Sequence, residues 1–388
     1  MDIIETLEEK LTSIESRTMI KEAVSSALRE SNIESVHAIL DMIANTKKIA
    51  KATSAILLKE VLDILEREGI DKHQTISVLD RMIGWSEKNK RNLLKLDFKM
   101  RKADTLLALQ EYKQCLSLIA ETAKVLKQAD DKIGLVKLYY LESKVYYELK
   151  NLPRAKSALT LSRSTSTLVY CPPFLQAKMD LLNGIYLADE KDYKTSTAYL
   201  LEALEGFSLS QNQEMVVQCA RYLLLMRIME NKSGEARTLL THKLISPHKK
   251  DKCLQILGSV NECVSDRNLR ECNDIIQKNL HFISNDQFLM NHLVYLCDTL
   301  IDSNILKIIE PYSNISIEYI GKTLDFDVPT IENRLRRMIL DERIKGTIDQ
   351  ESMCINITQT SSHGKCGQRE MGEILSVLSE ATVAISQK

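Results

Sequence analysis

Residues 142–173 read ESKVYYELKNLPRAKSALTLSRSTSTLVYCPP, and the punctuation of this stretch sets the fold. Val145 and Leu149 continue a pattern begun by Leu138 and Leu141, so one face of a helix is apolar and must be covered. Asn151 stands where it can cap a second helix. Pro153 falls in that helix's first turn, where a missing N–H breaks no bond. Pro172-Pro173 then blocks further helix, because each ring removes a donor and pushes the preceding residue out of the α region. The stretch predicts a helical hairpin followed by a stiff break.

Working outward, the same turn chemistry recurs at Gln110-Glu111-Tyr112, Lys150-Asn151-Leu152, Lys191-Asp192-Tyr193 and, more loosely, Lys232-Ser233-Gly234, about 40 residues apart. That period fits two helices of roughly 14–16 residues with short connections. Before the third turn, Leu175, Met179, Leu182 and Tyr186 again share a helix face. A lone apolar stripe is not satisfied in water, so each pair is expected to bury its stripe against the next in a solenoid stabilised by nearest-neighbour contacts. Gly184 is the small residue that lets two helices approach closely, at about 1 kcal/mol of helix propensity.

Composition agrees. The chain has 388 residues, 44% of them apolar, with only 12 Gly and 6 Pro, which favours long helices over a turn-rich β or disordered chain. The 52 Lys+Arg balance 53 Asp+Glu, so no global field gathers nucleic acid or an anionic membrane. Nine cysteines without a CxxC read as buried thiols of a reducing compartment, cytoplasm and nucleus. Cys253, Cys263 and Cys272 are too widely spaced for a zinc hairpin. The amino-terminal MDIIETLEEKLTSIE is acidic and amphipathic, unlike a targeting peptide, and no apolar run approaches the ~20 residues of a membrane span.

From 213 to 309 helices continue, drawn for example at 215–230 and 286–303, while the clear period fades. After Glu310-Pro311 the pattern changes. Ile317, Ile320 and Leu324 share a short helix, Asp325-Phe326-Asp327 turns, and a second helix carries Ile331, Leu335, Met338 and Ile339, with Asp327 as cap and Pro329 in the opening turn. Two β-like runs, 344–348 and 353–357, flank a turn at Asp349-Gln350-Glu351-Ser352. Helix, turn, helix and hairpin make a winged helix. A polar loop follows, then residues 370–385 in which Ile374, Leu378, Ala381 and Ile385 align as a final amphipathic helix. The wing's sheet edge (Lys345, Thr347, Ile348) and this tail stripe are the candidate partner-binding residues.

Chemistry finds little footing. There is no GxxxxGK[ST] loop, GxGxxG turn, GxSxG elbow or HExxH helix, so the expectation is no enzyme, no cofactor and no metal. His242 and His248 lie around Ser246-Pro247 in a loop, too far apart for one helical face. Cys171, beside two prolines with no histidine near in sequence, reads as a packed thiol. A winged helix can read DNA, but Asp325, Asp327 and Glu332 sit where phosphate would approach, and Arg334, Arg336 and Arg337 read as a solvated or partner-facing cluster. No aromatic residues are taken to interleave with basic ones as a single-strand platform requires.

Asn151-Leu152-Pro153-Arg154-Ala155-Lys156, Ala158-Leu159-Thr160 and Tyr170-Cys171-Pro172-Pro173 resemble the non-ATPase regulatory subunit 11 family of the proteasome lid. So do Trp85-Ser86-Glu87-Lys88, Asp130-Asp131-Lys132, Leu141-Glu142-Ser143-Lys144 and, downstream, Ile309-Glu310-Pro311-Tyr312-Ser313, Met338-Ile339-Leu340-Asp341, Gly346, Ile348, Asp349 and Gln350. The resemblance implies an all-α fold: TPR-like repeats over 1–205, the helical part of a PCI domain over 206–310, its winged helix over 311–358, and a loop with a carboxy-terminal helix over 359–388. It further implies a non-catalytic, hetero-oligomeric scaffold whose partners are other PCI lid subunits, the deubiquitinating lid subunit, and subunits of the ATPase ring and the core α-ring. Neither nucleic acid nor membrane is among them. A signalosome PCI scaffold, or a PCI-type nucleic-acid or translation adaptor, are the alternatives.

Overall fold

The computed structural model describes residues 38–40, 42–43, 51–67, 71–284, 286–324 and 326–357. They pack as two compact units that divide between Cys219 and Ala220.

The first unit is a run of antiparallel helices: α1 (Lys51–Arg67), α2 (Lys72–Lys88), α3 (Asn92–Ala108), α4 (Tyr112–Gln128), α5 (Lys132–Glu148), α6 (Leu152–Ser166), α7 (Pro173–Asp189) and α8 (Tyr193–Leu209). Most of their connections share one geometry, the Pro172-Pro173 break before α7 excepted. Lys90, Gln110, Asp130 and Lys150, then Lys191 and Gln211, and in the second unit Asn231, all hold left-handed backbone with φ between 52° and 68°. At each of them the left-handed residue's N–H donates three residues back and the next N–H donates five back, as in Lys150 to Tyr147 and Asn151 to Tyr146. This is the Schellman closure, which satisfies carbonyls left open at a helix end. The second donor then doubles as cap of the following helix: Asp131, Asn151 and Asp192 each accept from an N–H three residues on. The sequence period of about 40 is therefore two connections about 20 residues apart, both of this kind except where Pro172-Pro173 takes the place of one. The intervening turns at Lys90, Asp130 and Gln211, which the sequence does not flag, put a non-glycine residue in this left-handed position, as Gln110, Lys150 and Lys191 also do.

Within each hairpin the helices touch through small residues. The Cys115 thiol donates to the Ala103 carbonyl (3.2 Å), the Ser143 hydroxyl to Ala155 (2.8 Å), and the Ser196 hydroxyl to Gly184 (2.7 Å). These three pairs occupy equivalent places in successive repeats. At Gly184 a Cβ would stand 2.9 Å from Leu200, so the close approach read from the sequence is present. Hairpins are joined in turn by Tyr186, fully buried, whose hydroxyl lies 2.8 Å from the Ser143 hydroxyl. Leu175, Met179 and Leu182 are buried beside it. In the earlier stripe Leu138, Leu141 and Val145 are buried, but Leu149 is 44% exposed, a correction: it is the C-cap of α5, past the end of the packed face. Pro172-Pro173 separates hairpins as expected, yet it also starts one, with Pro172 the N-cap and Pro173 the first residue of α7.

The chain enters the second unit within α9 (Gln213–Met229). There follow α10 (Ser233–Thr241), a 3-10 turn (Ser246–His248), α11 (Lys252–Asp266), α12 (Leu269–Lys278), α13 (Leu280–Ile283) and α14 (Gln287–Ile309). After these come β1 (Asn314–Ser316), α15 (Ile317–Leu324), α16 (Val328–Leu340), β2 (Gly346–Asp349) and β3 (Cys354–Ile357). Specific polar contacts replace the repeat here. Arg221 grips Asp251 with two bonds of 2.7 and 2.9 Å, and Tyr222 donates to Asp286 at 2.7 Å while its ring packs on Phe288. Among the described residues no helix is long and apolar enough to cross a membrane.

Candidate protein-interaction site

The winged helix is built on a small core. Ile317 and Ile320 of α15, Ile331, Leu335 and Met338 of α16, and Ile315, Ile344 and Ile355 are all buried. The sheet has three antiparallel strands in the order β1-β3-β2, not the two read from the sequence. β1 pairs Asn314 with Asn356 and Ser316 with Cys354, and three residues are too few for alternation to register as a strand. β2 pairs Ile348 with Ile355. At Gly346 the strands approach so closely that a Cβ would stand 2.5 Å from the Asn356 carbonyl oxygen, which only glycine tolerates. Asp349 closes the β2–β3 turn by accepting from the Ser352 hydroxyl (2.7 Å) and the Glu351 N–H (3.1 Å), and these bonds hold its carboxyl below the ordinary range.

β2 is an outer strand, and among the described residues no strand pairs with its far edge. Thr347 is exposed and Ile348 half-buried on it, and exposed Lys345 precedes it. A row of backbone donors and acceptors beside a partly covered isoleucine is a surface that can accept another strand or a facing side chain. Ile374, Leu378, Ala381 and Ile385, with the rest of the tail helix, lie outside the described residues.

Two expectations around α16 are corrected. Asp327 occupies the N-cap position, but its side chain makes no capping bond, and only its backbone carbonyl receives Thr330 and Ile331. The arginines are also less free than a solvated cluster. Arg334 reaches across to Asp298 and Asp302 of α14, the latter at 3.3 Å, and Arg343 joins Asp302 at 3.2 Å. Arg336 pairs with Glu332 one turn earlier, and Arg337 is exposed. Arg334 thus fastens α16 to α14, and Arg343 fastens the segment after α16 to the same helix. Asp298 and Asp302, four apart on one face, were the signal that sequence reading passed over.

Cys115, Cys219, Cys253, Cys263 and Cys272 are buried, whereas Cys171, Cys297 and Cys354 are half-buried, a correction to nine packed thiols; Cys366 lies outside the described residues. Burial, with Asp104 nearby, pushes the Cys115 thiol up to about 11. Burial and then the Asp180 carboxylate push Cys171 up as well, away from the thiolate that a nucleophile needs. His242 caps the turn after α10, its Nδ1 accepting from the Leu244 N–H at 3.4 Å. Among the described residues no group of three or more His, Cys, Asp or Glu could hold a metal ion. Aromatic and basic residues do interleave, contrary to the sequence reading. Lys144 lies over Tyr140 (5.2 Å) and Lys178 over Phe174 (4.4 Å), each pair four apart on its helix.

Helical repeats ahead of a three-stranded winged helix define a PCI protein, and residues 276–359 match the family model of the PCI domain. Relatives resolve this further. The chain is 31% identical over 313 residues to the 26S proteasome non-ATPase regulatory subunit 11 homolog of Arabidopsis thaliana, covering 80% of this chain and 73% of that protein. It is 30% identical to the 26S proteasome regulatory subunit RPN6 of Saccharomyces cerevisiae, over 81% of this chain and 73% of the relative. Against the probable 26S proteasome regulatory subunit rpn6 of Schizosaccharomyces pombe it is 29% identical over 85% and 80%. The chain belongs to this family of 26S proteasome regulatory subunits.

Proposed function

We propose that the chain is a non-catalytic scaffold subunit of the 26S proteasome regulatory lid, needed for lid assembly and for clamping the lid to the ATPase base and the core particle in ubiquitin-dependent degradation. The observation that carries the reading is the outer strand β2, unpaired among the described residues, in a chain of a regulatory-subunit family. In this reading the wing, through Lys345, Thr347 and Ile348, packs beside the winged helices of other PCI subunits. The tail stripe of Ile374, Leu378, Ala381 and Ile385 joins a helical bundle with their tails. The repeat unit meets the ATPase ring and the core α-ring, helping to position the deubiquitinating lid subunit. The complex is hetero-oligomeric and works in cytoplasm and nucleus without nucleic acid or membrane.

Purifying the tagged chain from its own cells and identifying the co-purifying subunits tests this. Proteasome lid, base and core subunits are expected. Recovery of signalosome subunits, or of RNA and translation factors instead, overturns it. Deleting 368–388 is expected to leave a folded chain that no longer enters the lid, and continued incorporation excludes the bundle role of the tail.

A further inference from the structure

The first helices of successive pairs in the first unit surround a groove of about 520 Å³. Each offers residues one turn apart: Asp97, Arg101 and Asp104 from α3, Lys137, Tyr140 and Lys144 from α5, Phe174 and Lys178 from α7, with Lys59 of α1 at one end. Five cations and two carboxylates line it, so the groove is cationic in a chain whose net charge is −1.

The cations divide into two sets. Lys59 pairs with Asp97, and Arg101 pairs with Asp63 at 2.6 Å. Lys137, Lys144 and Lys178 make no ion pair among the described residues. Instead the aromatic faces of Tyr140 and Phe174 hold two of them. Burial pushes the Lys178 ammonium down, Lys144 and Lys137 push it further the same way, and Asp104 opposes them. Three like charges therefore share one concavity with a single exposed carboxylate, Asp104, to offset them. Apolar Met100, Leu141 and Leu175 complete the lining.

We propose that this groove is a binding site for an acidic peptide segment of a partner protein, an extended strand whose aspartate or glutamate side chains meet Lys137, Lys144 and Lys178. Apolar side chains of the segment lie on Phe174, Leu175 and Leu141. Asp104 takes a donor, for which a peptide backbone offers N–H groups. A phosphodiester chain offers only acceptors and would meet Asp104 and Asp97 as repulsion. Its basic track would also run beyond a cavity of this size. Lysines suit single carboxylates, being compact charges rather than forks.

The test is fluorescence anisotropy on the full chain, with a labelled peptide of alternating glutamate and leucine, its glutamine counterpart, and a labelled oligouridylate. The glutamate peptide is expected to bind saturably, to weaken as salt rises, and to bind at least about tenfold more tightly than the glutamine peptide. The triple variant Lys137→Gln/Lys144→Gln/Lys178→Gln should lose about tenfold or more, with its thermal unfolding and circular dichroism held as the control for fold. Lys178→Arg, which keeps the charge, should retain binding and covers the case in which the triple variant misfolds. Absent saturation, equal binding of both peptides, or loss of binding in the arginine variant overturns the proposal. So does unchanged affinity in a folded triple variant. Oligouridylate binding more tightly than the glutamate peptide through the same lysines assigns the groove to nucleic acid instead.

Discussion

The two units solve helix packing differently. From α2 to α8 one turn is reused at 20-residue steps, interrupted only by the Pro172-Pro173 break, and one small-residue contact recurs in three successive hairpins, whether Ala103 with Cys115, Ser143 with Ala155, or Gly184 with Ser196. In the second unit the same left-handed closure survives at Asn231, Arg267 and Glu342, but its elements are held by individual pairs such as Arg221–Asp251 and Arg334–Asp298. Repetition builds a surface of equivalent faces, whereas singular contacts shape one outer strand. Stability in the first unit should therefore respond to packing, and in the second to particular polar groups and one glycine.

The largest effect is expected at Tyr186, which joins two hairpins. Tyr186→Ala should lose about 3–5 kcal/mol in chemical denaturation, through cavity and lost transfer energy, whereas Tyr186→Phe should lose only about 1 kcal/mol for its bond to Ser143. Equal losses would show that the hydroxyl, not packing, holds the repeats together. Next come the two glycines. Gly346→Ala drives a Cβ against a backbone carbonyl and should lose about 2–3 kcal/mol. Gly184→Ala meets a side chain and regains helix propensity, leaving a net loss of about 1–2 kcal/mol. The reverse order in thermal melts would erase the distinction between the units. Arg334→Ala should lose about 1 kcal/mol, small because its partners are partly exposed, and a double-mutant cycle with Asp298→Ala should show coupling. Smallest is Gln211→Gly, which relieves left-handed backbone and should raise stability by up to about 1 kcal/mol. A lower melting temperature there would mean that the side chain is needed at the turn.

Capping residues alone do not explain which turns the sequence shows: Asn151, Asp192 and Asp131 all cap the following helix, yet the turn before Asp131 goes unread, while the one before Glu111, which caps nothing with its side chain, is read. The buried faces of α7 and α16 were legible from spacing because their partners are apolar and local. β1 was not, since a strand three residues long is defined by its partner β3, forty residues later, rather than by its own pattern. The pairing of Arg334 with α14, and the gathering of Lys137, Lys144 and Lys178 into one groove, depend on which helices become neighbours, which composition and periodicity do not encode. Lys345, Thr347 and Ile348 were found because an edge strand follows from hairpin order, although the third strand, which covers the far side of β3, was missing from that reading.

The scaffold account is tested most directly by assembling the lid from its subunits with this chain carrying Ile348→Asp, and measuring its share in the assembled particle beside its own thermal melt. The account predicts a chain that still unfolds cooperatively yet is missing from the particle, because a charge now stands on the outer strand where a neighbouring winged helix packs. A folded Ile348→Asp chain entering the lid at the level of the unaltered one would contradict it.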